Sequence, residues 1–123
     1  MKVLLLEDHV GVRESMELYL QMEGCQVASF DQGKAALDYL RHHWVDLVIV
    51  DWNMPKMSGA EFLVRAQELS LPLFAPQFVL FSGDPSVFRE AKLLGAHQFL
   101  PKPFRPHHLS QVLRPTISEL SVA

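Results

Sequence analysis

Short, wholly apolar runs alternate along the chain with stretches in which apolar residues recur every three or four positions. Val3 to Leu6 is apolar throughout and stops at Glu7-Asp8. A run with no polar alternation predicts a strand covered on both faces. Val12, Met16, Tyr19 and Leu20 then mark one stripe of a helix, which Gly24 is placed to end. A second strand is predicted over Gln26 to Phe30, followed by a short helix with Ala36, Leu37 and Leu40 inward. Leu47 to Val50 forms a third strand that ends on Asp51, and Met54-Pro55-Lys56-Met57-Ser58-Gly59 reads as a turn. A helix from about Ala60 to Leu69 shows Phe62, Leu63, Ala66 and Leu69 on one side. Phe78 to Phe81 is a fourth strand. Asp84-Pro85 has the form of an N-cap and first helical residue, opening a helix with Val87, Ala91 and Leu94 that Gly95 stops. Gln98 to Leu100 is a short fifth strand, and a last helix from near Pro106 holds Leu109, Val112 and Leu113.

Five strand–helix units in series predict an α/β fold: a parallel sheet with helices on both faces. The pattern leaves the strand order open. No repeat, linker or low-complexity stretch interrupts it, so residues 1–123 read as one domain. With 49 % hydrophobic residues, the chain can fill a core on each side of such a sheet. A net charge of −3 argues against nucleic-acid binding by this chain alone, since neutralising phosphates needs a basic face. The single cysteine, Cys25, allows no internal disulfide and fits a reduced, cytoplasmic setting, where it reads as a small buried residue. The apolar runs are strand-sized, well short of the roughly 20 residues that span a bilayer, so no membrane association is expected. Glu7-Asp8 also cuts the first run too early for a signal peptide.

In parallel sheets of this kind, ligands bind beyond the carboxyl ends of the strands. Five residues with usable chemistry sit at those ends: Glu7 and Asp8 after the first strand, Asp51 at the end of the third, Ser82 after the fourth and Lys102 after the fifth. Two carboxylates about 5 Å apart repel by roughly 3 kcal/mol at an effective dielectric near 20. Three gathered at one edge need a compensating cation. Oxygen-only ligands suit a hard ion, Mg²⁺ first and Mn²⁺ as the alternative. Lys102 supplies further positive charge. Such a site suits phosphoryl transfer, in which the protein mainly positions the group and neutralises developing charge. Asp51, central among these groups, is the candidate nucleophile for an aspartyl phosphate.

Taken together and in order, these residues resemble the receiver domains of response regulators. The acidic pair Glu7-Asp8 stands where that family holds its metal, and Asp51 at its phosphoacceptor position. Trp52-Asn53-Met54-Pro55-Lys56-Met57-Ser58-Gly59 is similar to its acceptor loop, Ser82-Gly83 to its hydroxyl-plus-small-residue signature, and Gly95 to Phe104 to its fifth-strand motif. The resemblance runs from Met1 to about Leu113. It implies a flavodoxin-like, doubly wound five-stranded sheet in the order 2-1-3-4-5. It implies that the Asn53 backbone carbonyl joins Glu7, Asp8 and Asp51 around the metal, and that Lys102 is followed by a cis proline. It also implies that the donor is a phosphohistidine on a histidine kinase or phosphotransfer protein, and that Ser82 and Phe99 act as the switch. The output would be a downstream protein or a missing output domain, with a homodimer through the fourth helix, fifth strand and fifth helix as a further option. The domain would be a phosphoacceptor rather than a turnover enzyme.

Some positions depart from the family's usual residues. Glu7 stands for the commoner Asp and reaches farther, and Ser82 for the commoner Thr. Pro101 removes a backbone donor and predicts an edge strand. Pro115 is expected to kink or end the last helix. Phe99 lacks a hydroxyl, so burying it strands no polar atom, and an inward position is expected even at rest. The residues after Leu113 are too few for another fold. His42-His43 and His107-His108 read as solvated surface, because neighbours in a helix point apart. Trp44 reads as packing, and Trp52 as a neighbour of the acceptor. Two other functions compete. A haloacid-dehalogenase-like phosphatase would need an acid at position 53, where this chain has Asn53. A receiver-like module working without phosphorylation would lack the acceptor, the acidic pair or the lysine, and this chain has all three.

Overall fold

The structure, a computed structural model, describes residues 1–69 and 75–121, and from residue 116 onward only the course of the backbone. Five strands, β1 (Lys2–Leu6), β2 (Gln26–Phe30), β3 (Leu47–Asp51), β4 (Gln77–Ser82) and β5 (Gln98–Pro101), alternate with five helices. The helices are α1 (Val10–Met22), α2 (Gly33–His42), α3 (Gly59–Gln67), α4 (Phe88–Leu93) and α5 (Pro106–Ser121). The strands form one parallel sheet in the order β2-β1-β3-β4-β5. This is the doubly wound arrangement expected from the sequence.

The period-two geometry of a strand sends alternate side chains to opposite faces. Leu4, Leu6, Val48, Val50, Phe78 and Leu80 therefore pack with Ala36, Leu37, Leu40, Phe62, Leu63 and Ala66 of α2 and α3. Val3, Leu5, Leu47, Ile49, Val79, Phe81 and Leu100 face the other way, onto Met16 and Leu20 of α1 and Leu109, Val112 and Leu113 of α5. Every residue of β3 is buried, as expected of a central strand covered on both sides. β5 lies at the edge, as Pro101 predicts, and the Lys102 amide donates to the Ser82 carbonyl at 2.9 Å. Cys25 is buried, and burial pushes its thiol up from the ordinary value.

Local signals account for most element ends. Gly24 and Gly95 follow α1 and α4 with φ of +86° and +115°, left-handed conformations that favour glycine. Ser58 caps α3 by accepting from the Glu61 amide at 3.1 Å. The helix expected from Asp84-Pro85 divides in two: a 3-10 turn over Pro85–Val87, capped by Asp84, leads into α4. Pro115 does not end α5, which runs on to Ser121. Proline removes one intrahelical bond, and the amides on either side maintain the ladder. Most of the apolar Leu71–Pro76 connection lies outside the described residues.

Candidate functional site

The strand register decides which residues meet. Leu6 of β1 is level with Val50, so Glu7 comes level with Asp51 of β3. Asp51 is level with Phe81, and Ser82 with Pro101, so Ser82 and then Lys102 follow one step farther out. The carboxyl edge of the sheet thus carries the acidic pair, the acceptor candidate, the hydroxyl and the lysine on four adjacent strands.

Glu7 is wholly buried and Asp51 is 2 % exposed. Lys102 Nζ lies 2.9 Å from Glu7 Oε2 and 3.1 Å from Asp51 Oδ1, bridging the two. It also sits 4.7 Å from the centre of the Phe81 ring. The Asn53 amide donates to Asp51 Oδ1 at 3.2 Å, and the His9 amide to Glu7 Oε1 at 3.1 Å. Beyond its ion pair with Lys102, Glu7 Oε2 accepts no hydrogen bond from the described residues. Burial raises the Asp51 carboxyl from 3.8 to about 6; the Glu7 charge adds to this, while Lys102 and the Asn53 amide oppose it. Burial by itself would lower Lys102, but its bonds to Glu7 and Asp51 prevail and hold it above its ordinary value.

Asp8 is exposed at the mouth, and one oxygen from each of Glu7, Asp8 and Asp51 comes within 4.8 Å of the others. Three carboxylates, one with a buried oxygen whose partner among the described residues is the Lys102 ammonium, form a donor set suited to a hard divalent cation. Neither histidine pair joins a metal-ligating group among the described residues. His43 instead stacks on Tyr39 at 4.0 Å, and His108 Nδ1 accepts from the Arg105 amide at 3.1 Å.

Ser82 is buried, and its hydroxyl accepts from the Asp84 amide at 3.0 Å. Phe99 is half-buried on the α4 side, 5.6 Å from Phe88 between ring centres. The Lys102-Pro103 peptide is cis. Trp52 is half-buried beside the acceptor, and Trp44 is 55 % exposed.

Two further positions shape the site without having stood out in the sequence. Arg13, on the first turns of α1, donates from Nη1 to the carbonyls of Glu7 at 2.9 Å and Asp8 at 3.4 Å, fixing the acidic loop. A lone arginine in a helix carries no mark of that role. Gly59 closes the acceptor loop, its amide donating to the Trp52 carbonyl at 2.9 Å. A methyl at position 59 would lie 2.5 Å from the Asp51 carbonyl oxygen and 2.7 Å from Trp52 Cα. Backbone cannot yield as a side chain does, so Gly59→Ala should destabilise the domain by about 1–3 kcal/mol. Urea unfolding tests this; an unchanged midpoint would contradict the close approach.

A doubly wound parallel sheet thus gathers an acidic cluster, a hydroxyl and a lysine on its carboxyl edge. The response regulator receiver domain family model matches residues 3–114, and the chain belongs to that family. Among curated relatives, the cell cycle transcriptional regulator CtrA of Caulobacter vibrioides is 32 % identical over 85 % of this chain and 45 % of its own length. Response regulator Rre1 of Synechocystis is 35 % identical over 91 % of this chain and 49 % of its own. The chain thus spans about half the length of the curated relatives it matches. Among solved structures, the chemotaxis protein CheY4 of Vibrio cholerae superposes with a TM-score of 0.86 at 31 % identity, covering 94 % of this chain and 97 % of that one. The chain is therefore a response-regulator receiver domain of two-component signalling, a family of switches rather than turnover enzymes. No helix among the described residues is long and apolar enough to cross a membrane.

Proposed function

We propose that residues 1–123 form one receiver domain that accepts a phosphoryl group on Asp51 and thereby changes its affinity for a protein partner. The observation that carries this reading is the buried Asp51 carboxylate, paired with Lys102 inside a cluster of three carboxylates. A carboxylate oxygen of Asp51 forms a bond to phosphorus as the donor's bond to phosphorus breaks. With a phosphohistidine donor on a histidine kinase or phosphotransfer protein, the imidazole leaves and is protonated. Mg²⁺, or Mn²⁺ in its place, would be held by Glu7, Asp8, Asp51 and the Asn53 carbonyl, and would supply charge neutralisation at the phosphoryl oxygens. Lys102 pairs with one of those oxygens. Ser82 redirects its hydroxyl hydrogen from the Asp84 carbonyl, to which it donates at 3.5 Å, toward another.

Phosphorylation adds negative charge and strong acceptors at the carboxyl edge. The loops after β4 and β5 are drawn toward it, and Phe99 responds from the edge strand. The surface that changes is that of α4, β5 and α5, where a partner, an attached output domain or a second copy would bind. A cytoplasmic setting suits this role. Named relatives such as CtrA and PhoB are transcriptional regulators, but a net charge of −3 disfavours DNA binding by this chain alone, and its own output is read as protein contact. A comparison of resting and beryllofluoride-bound forms tests the switch. The account expects Phe99 to stay on the core side in both; a swing from solvent to core would contradict its resting bias.

The phosphatase reading fails on Asn53, which cannot act as the general acid. Incubation with acetyl phosphate followed by intact mass measurement should show one added phosphoryl group with Mg²⁺ and none with chelator. Steady turnover of a generic phosphate ester, without a labelled protein species, would overturn the switch reading in favour of a hydrolase.

A further inference from the structure

Charge is divided unevenly along the chain. Residues 1–84 contain twelve aspartates and glutamates against six lysines and arginines, a net −6. Residues 85–115, which build α4, β5 and most of α5, contain Arg89, Lys92, Lys102, Arg105 and Arg114 against Glu90 alone, a net +4. Lys102 is taken up by Glu7 and Asp51. The other four are exposed, and none of them meets a carboxylate among the described residues, whereas Arg41 and Arg65 pair with Asp38 and Glu61 on their own helices. β5 is the edge strand, with α4 packed on one face of the sheet and α5 on the other, so the two helices flank its open side. On α4, Lys92 and Leu93 follow Arg89 by three and four positions and share one exposed surface with it. Leu93 is 85 % exposed, more than any other large apolar side chain among the described residues. Lys92 Nζ lies 5.2 Å from the centre of the Phe88 ring, which in turn packs on Phe99 of β5. Arg105 stands between β5 and the start of α5.

We propose that this face binds an acidic, amphipathic segment of a protein partner, whose carboxylates pair with Arg89, Lys92 and Arg105 and whose apolar side chains cover Leu93. The inference rests on the reading of α4, β5 and α5 as the surface that phosphorylation at Asp51 alters. Exposed cations around an exposed leucine have the anatomy of a protein interface, an apolar centre with a polar rim. The partner's acids complete ion pairs that the chain's own carboxylates leave open. A second copy fits this face less well. A two-fold contact sets the same patch against itself, so Arg89, Lys92 and Arg105 of each copy would face one another with Glu90 as the single acid to offset them. Like charges brought together in this way oppose association. Duplex DNA also fits less well, since specific binding draws on about six or more phosphate contacts, and this patch offers three cations beside an apolar centre.

Fluorescence anisotropy of three labelled probes against the full chain, resting and with beryllofluoride, tests this. The probes are a synthetic amphipathic helix with leucines on one face and glutamates on the other, the same helix with lysines for the glutamates, and a duplex DNA oligonucleotide. The glutamate helix should bind at low salt, weaken as salt screens the contact, and bind the beryllofluoride form more tightly. Arg89→Glu combined with Lys92→Glu, both at exposed positions, should weaken it by roughly tenfold or more. Leu93→Ser should weaken it while leaving the salt dependence unchanged. Sedimentation should show the beryllofluoride form to be a monomer. No binding of the glutamate helix, equal binding of the lysine helix, or an affinity unmoved by the charge reversal would overturn the proposal. Tighter binding of the duplex would overturn it in favour of nucleic acid, and a beryllofluoride-induced dimer broken by Leu93→Ser would overturn it in favour of a second copy. Charge-sensitive binding of the glutamate helix that is the same with and without beryllofluoride would support the partner's chemistry and overturn the reading of this face as the one phosphorylation alters.

Discussion

Asp51→Asn is expected to abolish phosphoryl uptake from acetyl phosphate, to retain the fold and to make the metal-free domain more stable near pH 7. The loss of uptake follows because an amide is not a nucleophile toward phosphorus; Glu7, the other buried carboxylate paired with Lys102, is read as a metal ligand and not as the acceptor. The gain in stability follows from the cost of keeping this carboxylate charged. Burial, with Glu7 beside it, raises the group from 3.8 to about 6. At about 1.4 kcal/mol per pKa unit, the charged form of Asp51 costs on the order of 2–3 kcal/mol at neutral pH. Asparagine removes that cost but also gives up the bond to Lys102, so the net gain should be on the order of 1–2 kcal/mol. Intact mass and urea unfolding measure the two halves. Labelling at the wild-type rate, or a variant less stable than wild type at pH 7 without metal, would contradict them.

The contribution of Asp51 to stability, read as the difference between wild type and Asp51→Asn, should fall between about pH 4 and pH 7 in metal-free buffer, and Mg²⁺ should restore it. The sign follows from proton linkage. Between 3.8 and about 6, native Asp51 holds a proton that the unfolded chain has released, so the native state binds more protons and stability falls as pH rises. The contribution is fully present below 3.8 and lost as pH rises through about 6. Lys102, raised from an already high value, does not titrate in this window. Mg²⁺ binds the deprotonated cluster of the native state and stabilises by mass action, by about 2.7 kcal/mol at a hundred times its dissociation constant. Its effect on the melting temperature should therefore be larger at pH 8 than at pH 5, where protons compete for Asp51. Equal increments at both would show that Asp51 is not part of the metal site.

Most of the fold could be read from the sequence because both periodicities are strong. The wholly apolar runs ending on Glu7 and Asp51 could only be doubly covered strands, and Ala36, Leu37 and Leu40 could only face inward. Strand order was not readable from the pattern and came from the family resemblance, since nothing local specifies which strand pairs with which. Pro115 does not end α5 because a helix of this length tolerates one missing amide. The strand ends brought the site residues into view, but not the partners that hold them. Arg13 acts through its reach to two carbonyls and Gly59 through the backbone it nearly touches. Each depends on distances across the sheet edge, which spacing along the chain does not contain.

Locating the phosphoryl group tests the central claim most directly. After incubation with acetyl phosphate and Mg²⁺, borohydride reduction converts an aspartyl phosphate to homoserine, and peptide mass spectrometry reads its position. The account predicts homoserine at residue 51 alone, and none when Mg²⁺ is chelated. Homoserine at Asp8 or elsewhere in place of residue 51, or a label that resists reduction because it sits on Ser82 or a histidine, would contradict it.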